Sequence, residues 1–281
     1  MTNWIKWLFH HSIFISLCAV ALCWETCLFF SISVSIKAIA IVFFASFFTY
    51  NIYPLAGFVL SNKRRSLSLF FLPLNWERSI SILLMLCSGF TLLFLTLSLP
   101  QLLPLFLIAA ALTLFYFILI FKNRARFVFR KLPFIKPILL AGSWAFVTVF
   151  FPLHKYNNFS LPSLNSLFIH RFLFILLLCM IFDSRDVETD RKKGIHTLAT
   201  SLTKVCLKRV FIFVLLMYVL STVWLDYLQI SHSQAFGLLL SGFFCWLLFM
   251  KSSEKKGYYF YHFWVDGLMI FSAFAVYMAT I

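Results

Sequence analysis

The stretch Phe168-Ile-His-Arg171-Phe-Leu-Phe-Ile-Leu-Leu-Leu-Cys-Met-Ile-Phe182-Asp183-Ser-Arg-Asp186-Val-Glu-Thr-Asp190-Arg-Lys-Lys-Gly194-Ile-His-Thr197 decides how the chain is read. Its first half, Phe168 to Phe182, has the apolar content of a membrane helix. Its second half holds four of the chain's nine acidic residues, Asp183, Asp186, Glu188 and Asp190. If the helix continues through Asp190, then Asp183, Asp186 and Asp190 stand at i, i+3 and i+7 and share one face. Three carboxylates on one face repel each other and are costly beside a membrane. A hard cation relieves that cost, and Mg²⁺ takes carboxylate oxygens together with substrate phosphates. The alternative is a solvated helix end balanced by Arg185, Arg191, Lys192 and Lys193.

Working outward, hydrophobic residues make up 62% of the 281 positions and charged ones 12%, with 38 phenylalanines. That charged share is about half of what a soluble domain carries. The composition predicts an all-α, polytopic membrane protein with a single domain over residues 1–281. The first apolar segment has the length of a span and lacks a cleavable signal pattern. The seven cysteines show no CxxC pair and no metal spacing. Six read as small buried hydrophobes, while Cys206 falls in a polar loop.

Nine spans are expected, near 11–31, 38–60, 79–99, 102–121, 134–153, 166–184, 210–228, 235–250 and 258–281. With the N-terminus in the cytoplasm, 21 of the 24 Lys and Arg fall on cytoplasmic segments. Only Lys37, Lys155 and Arg171 do not. This segregation is the positive-inside pattern, so the formal charge of +15 points to membrane topology rather than to nucleic acid. The expected location is a multi-pass position in the plasma membrane of a bacterium. The outer loops are short, so a working site should open on the cytoplasmic side, where loops 2–3, 4–5 and 6–7 hold most of the polar chemistry. No Gly-rich phosphate loop, nucleophile elbow or short-period repeat is present.

Nine helices with an Asp-rich end on the sixth, then a basic run, Gly194 and Thr197, resemble the UbiA-type membrane prenyltransferases. The matching motif is Asp186-Val-Glu-Thr-Asp190, Arg191-Lys192-Lys193, Gly194 and Thr197. The resemblance implies a helical bundle around a central cavity that binds a prenyl diphosphate through Mg²⁺. It also implies a diphosphate-contacting lysine in loop 4–5, for which Lys136 is the best match. A second Asp-rich motif should follow the second span. The corresponding stretch, Tyr50-Asn51-Ile-Tyr-Pro-Leu-Ala-Gly-Phe-Val-Leu-Ser-Asn-Lys63, keeps the Asn as Asn51 and has no acid. At most one strongly held Mg²⁺ is therefore expected.

The resulting expectation is a prenyltransferase that moves a prenyl group onto a lipophilic, aromatic or other acceptor within membrane lipid. Asp186, Asp190 and Lys136 would be catalytic, and Asp183, Asp186 and Asp190 would ligate the metal. Lys136, Arg191, Lys192 and Asn51 would bind the diphosphate. The alternative is a non-catalytic relative that binds lipid or a partner protein. A transporter is disfavoured because the acids stand at a helix end and not at the midplane. Glu25 and Asp266, acids inside spans 1 and 9, are candidates for orienting an acceptor hydroxyl or for simple hydrogen-bonded pairs, and for Asp266 the pairing is preferred. His196 is read as a loop residue and Gly194 as a helix terminator.

Overall fold

A computed structural model describes residues 12–61, 76–121, 133–156, 160–192, 196–228, 230–253 and 256–281. Among these residues the structure is helical, with no strand. The long helices are α1 (Ile13–Phe29), α2 (Ile36–Ser61), α3 (Trp76–Ser98), α4 (Leu103–Phe121), α5 (Ile135–Phe150) and α6 (Leu161–Arg185). Two short helices follow, α7 (Val187–Lys192) and α8 (Leu198–Ser201). The rest are α9 (Lys204–Leu228), α10 (His232–Lys251) and α11 (Phe260–Met278), whose first turns, Phe260–Val265, are π-helical. Five of the long helices have the length and apolarity to cross a membrane, and the remaining four are shorter apolar segments in their described parts. The chain is an integral membrane helical bundle, and among the described residues a long helix overlaps each of the nine expected spans, with α6 and α9 starting five and six residues earlier than expected.

Helices adjacent in sequence pack on each other around the bundle. The ring closes where α11 lies against α1, and α1 also meets α5 across the middle. Helix α6 is the most enclosed, whereas α4 turns almost all its side chains outward. Lipid cannot satisfy polar groups, so hydroxyls inside the helices bond their own backbone. Thr96, Thr113 and Ser143 each donate to the carbonyl four residues earlier.

Close approach on the α9–α10–α11 side depends on glycine. A Cβ on Gly242 would stand 2.7 Å from Cε1 of Tyr218, and one on Gly237 would stand 3.1 Å from the Ala275 carbonyl carbon. The Tyr218 ring is pinned because its hydroxyl donates to the Leu238 carbonyl at 2.8 Å. Small residues at such crossings let the backbones approach where no hydrophobic force drives association.

Two cysteine expectations change. Cys206 lies in the first turn of α9 rather than in a loop, because the helix starts six residues earlier than expected. Cys87 is exposed on the outer face of α3, whereas Cys18, Cys23, Cys27, Cys179 and Cys245 are buried. On an outward-facing membrane helix a thiol meets lipid at little cost.

Candidate active site

The expected single face of carboxylates does not form. Helix α6 stops at Arg185, and Asp186 takes φ −89°, ψ 8° as its C-cap. The chain bends there and resumes as α7, with the Asp190 amide donating to the Asp186 carbonyl at 2.8 Å. The bend divides the three acids between two cations. The Lys136 ammonium donates to Asp190 Oδ2 at 2.8 Å and lies 3.3 Å from Asp183 Oδ1. Asp186 turns to Arg185, which donates from Nε at 2.8 Å and from Nη2 at 3.0 Å. Splitting the acids lets each carboxylate face a cation, which a straight helix would not allow. The solvated alternative fails for two of the acids, since Asp183 and Asp190 are 3% and 4% exposed.

Lys136 reaches this point as the second residue of α5. Pro137 lies in the first turn, where its missing N–H is not needed. Asp183 Oδ2 is buried with no hydrogen-bond partner among the described residues.

Lys136, Asp183, Arg185 and Asp186 form one end of a cavity of about 240 Å³. Its walls are apolar and aromatic, drawn from α1 (Phe14, Ile15), α5 (Leu140, Trp144) and α6 (Ile175, Phe182). Tyr50 of α2 and Tyr116 of α4 also line it, and Trp144 Nε1 donates to the Tyr50 hydroxyl at 3.2 Å. Across from α6, the start of α11 contributes Tyr258, His262 and Asp266.

Arg185 joins the two polar groups. Its guanidinium lies over the Phe182 and Tyr261 rings, at 5.0 and 5.1 Å from their centroids. Its Nη1 is 3.3 Å from His262 Nε2, and His262 Nδ1 is 3.2 Å from Asp266 Oδ2. The turn before α11 is fixed independently, by Tyr261 donating to the Ser253 carbonyl at 2.8 Å.

The other sequence candidates fall away from the cavity. Arg191 and Lys192 are exposed at the end of α7. Asn51 donates its amide to the Phe47 carbonyl at 2.7 Å, and the cavity wall on α2 is Tyr50 beside it. Thr197 caps α8 in a reciprocal pair with Thr200, and His196 is exposed. Lys193, Gly194 and the basic run Lys63-Arg64-Arg65 lie outside the described residues.

Glu25 is not at the cavity. It accepts from Arg171 Nη1 at 3.1 Å and from Ser272 at 3.2 Å, deep between α1, α6 and α11. Asp266, in contrast, both pairs with His262 and lines the cavity. Sequence reading did not single out Arg185, Tyr258 or His262. The His262–Asp266 spacing of four on a helix was the available signal.

Among the described residues no three His, Cys, Asp or Glu side chains are grouped to hold a metal. Two carboxylates do converge, Asp183 and Asp190, and one buried Asp183 oxygen is unpaired. That donor set fits an ion of the Mg²⁺ class, which binds through one or two carboxylates and completes its shell with water and phosphate oxygens.

No protein-family model and no curated protein matches the chain. Its fold is similar to that of a solved structure of digeranylgeranylglyceryl phosphate synthase, a protein studied in membranes, at a TM-score of 0.58. The likeness covers 98% of this chain and 97% of that one at 17% sequence identity, so what the two chains share is the architecture of a membrane helical bundle.

Proposed function

We propose that the cavity binds a prenyl diphosphate and that the protein transfers its prenyl group to a lipophilic acceptor. One observation carries this reading: an apolar, aromatic cavity inside a membrane bundle is closed at one end by Lys136, Arg185 and the carboxylates of Asp183 and Asp186. An amphiphile with a polyanionic head and a hydrocarbon tail matches both ends. The fold likeness to a synthase studied in membranes supports the same direction.

Lys136 and Arg185 are the donors for the diphosphate. Arg185 presents a planar fork held by Asp186, and Lys136 a compact charge held by Asp183 and Asp190. The tail runs between α1, α5 and α6. When the bond from the prenyl C1 to the diphosphate oxygen breaks, the electron pair leaves on the diphosphate and the allylic carbon becomes cationic. Trp144 and Phe182 line the cavity and present ring faces of the type that stabilises cations. Asp183 and Asp190 would hold Mg²⁺, which when bound supplies neutralising charge to the leaving diphosphate. Asp186, paired to Arg185, acts through that residue.

The positive-inside pattern assigns this end of the bundle to the cytoplasm. A second reading, a lipid-binding relative without turnover, is favoured by the acid-free stretch from Tyr50 to Lys63. The test is equilibrium binding of farnesyl diphosphate to the purified protein in nanodiscs, with and without Mg²⁺, followed by assay of diphosphate release. Saturable binding that Mg²⁺ tightens, with release, is the expected result. Binding without release favours the second reading, and no binding rejects both.

A further inference from the structure

The polar group across from Lys136 touches one of the two diphosphate donors, Arg185. It consists of His262 and Asp266, four residues apart on α11, with the Tyr258 ring tilted by 40° against the imidazole at 4.1 Å between centroids. His262 is 28% exposed at its side chain and Asp266 is 8% exposed, and both line the cavity. The π-helical turn Phe260–Val265 carries His262. Such turns recur at functional sites because they re-aim side chains at the cost of regular hydrogen bonding.

The hydrogen bonds fix the tautomer. A guanidinium only donates, so the contact from Arg185 Nη1 makes His262 Nε2 the acceptor, with its lone pair free of a proton. Nδ1 then carries the proton and donates it to Asp266. A carboxylate that fixes the tautomer and stabilises the imidazolium, with the other nitrogen left basic, is the arrangement of a general base. The titratable and charged groups facing the imidazole are Arg185 from α6 and Asp266 and Tyr258 from its own segment; from α1, the Cys18 thiol reaches only the Asp266 carbonyl.

We infer that His262, held by Asp266, is the base that takes the proton from the second substrate, so that this substrate is a lipophilic alcohol or phenol; the inference rests on the prenyl-transfer reading. The hydroxyl, held in the cavity that Phe14 and Phe182 line, replaces Arg185 Nη1 at Nε2. Arg185 keeps its Nε and Nη2 bonds to Asp186. The oxygen bonds to the prenyl C1 while the C1–O bond to the diphosphate breaks, and the electron pair departs on the diphosphate. The hydroxyl proton passes to Nε2. Asp266 stabilises the resulting imidazolium, which returns the proton to water at the cavity mouth. No electron is gained or lost.

The test uses farnesyl diphosphate with water as the hydroxyl donor, a probe that needs no knowledge of the natural second substrate. Binding and diphosphate release are measured across pH for the wild type, His262→Gln and Asp266→Asn. Expected are unchanged farnesyl diphosphate affinity in both variants and a fall in release of about 100-fold in the first and about tenfold in the second. Release by the wild type should depend on pH, and His262→Gln should lose that dependence. Wild-type release and pH profile in His262→Gln, or wild-type binding with no release, overturns the inference. No wild-type binding overturns the prenyl-transfer reading beneath it. Nitrogen-15 NMR of the wild type, which requires no variant to fold, should show His262 with its proton on Nδ1; a proton on Nε2 overturns the inference as well.

Discussion

Two of the ion pairs made by helix α6 have opposite fates. Arg171 and Glu25 meet near the middle of the bundle, with side chains 2% and 1% exposed. About 18 Å further along the helix, Asp183 meets Lys136 at the cavity. Neither Arg171 nor Glu25 lines the cavity, and their remaining bonds go to Thr26 and Ser272. Both sites place charge in an apolar bundle, and sequence alone gives both the same functional prior. Access separates them: one pair is sealed among helices and ties α1, α6 and α11 together, while the other faces space that a ligand can fill.

This contrast is broken most severely at the sealed pair. Arg171→Met should leave Glu25 buried without its cation and cost about 3–5 kcal/mol of stability, measured as loss of folded protein in detergent. Combining it with Glu25→Gln should restore most of that, and the double variant should bind farnesyl diphosphate as the wild type does. If the double variant loses binding, the sealed pair is part of the site and the contrast fails.

At the open site, Lys136→Met should weaken farnesyl diphosphate binding at least tenfold. One charge-assisted hydrogen bond contributes about 1.5–3 kcal/mol. Stability should fall too, because Asp183 and Asp190 lose their shared cation, and Lys136→Arg should recover more stability than affinity. Asp190→Asn should weaken the Mg²⁺ dependence of binding while the protein stays folded; unchanged Mg²⁺ dependence would leave Asp190 as the partner of Lys136 only.

Two smaller effects sharpen the boundary between packing and function. Gly242→Ala drives a methyl group against the pinned Tyr218 ring and should cost about 1–3 kcal/mol with affinity unchanged. Asp186→Asn removes the carboxylate from a pair whose side chains are 26% and 31% exposed, so its stability cost should stay below about 1 kcal/mol. Its effect should appear in affinity, through a loosened Arg185.

The helices were legible because membrane spans need long apolar runs bounded by charge, and this chain keeps both signals clean along its length. The convergence of Lys136 on the acidic stretch was implied only by the family resemblance, since 54 residues separate it from Asp190. The bend at Asp186 was not legible. Periodicity places Asp183, Asp186 and Asp190 on one face, but it cannot weigh the repulsion among three acids against two nearby cations. Arg185 looked like one more topogenic charge, because its role depends on Phe182, Tyr261 and His262 lying around it in space. Glu25 and Asp266 looked alike in sequence, and only the position of the cavity distinguishes them.

On the proposed function, the cavity end and not the sealed pair receives a prenyl diphosphate head. The most direct measurement is a farnesyl diphosphate titration in nanodiscs of the wild type, the Lys136→Met variant and the Glu25→Gln/Arg171→Met double variant, with inorganic diphosphate as competitor. Expected are saturable binding in the wild type and the double variant, competition by inorganic diphosphate, and at least tenfold weaker binding in Lys136→Met. Equal binding by Lys136→Met and the wild type, or binding that inorganic diphosphate does not displace, would contradict that function.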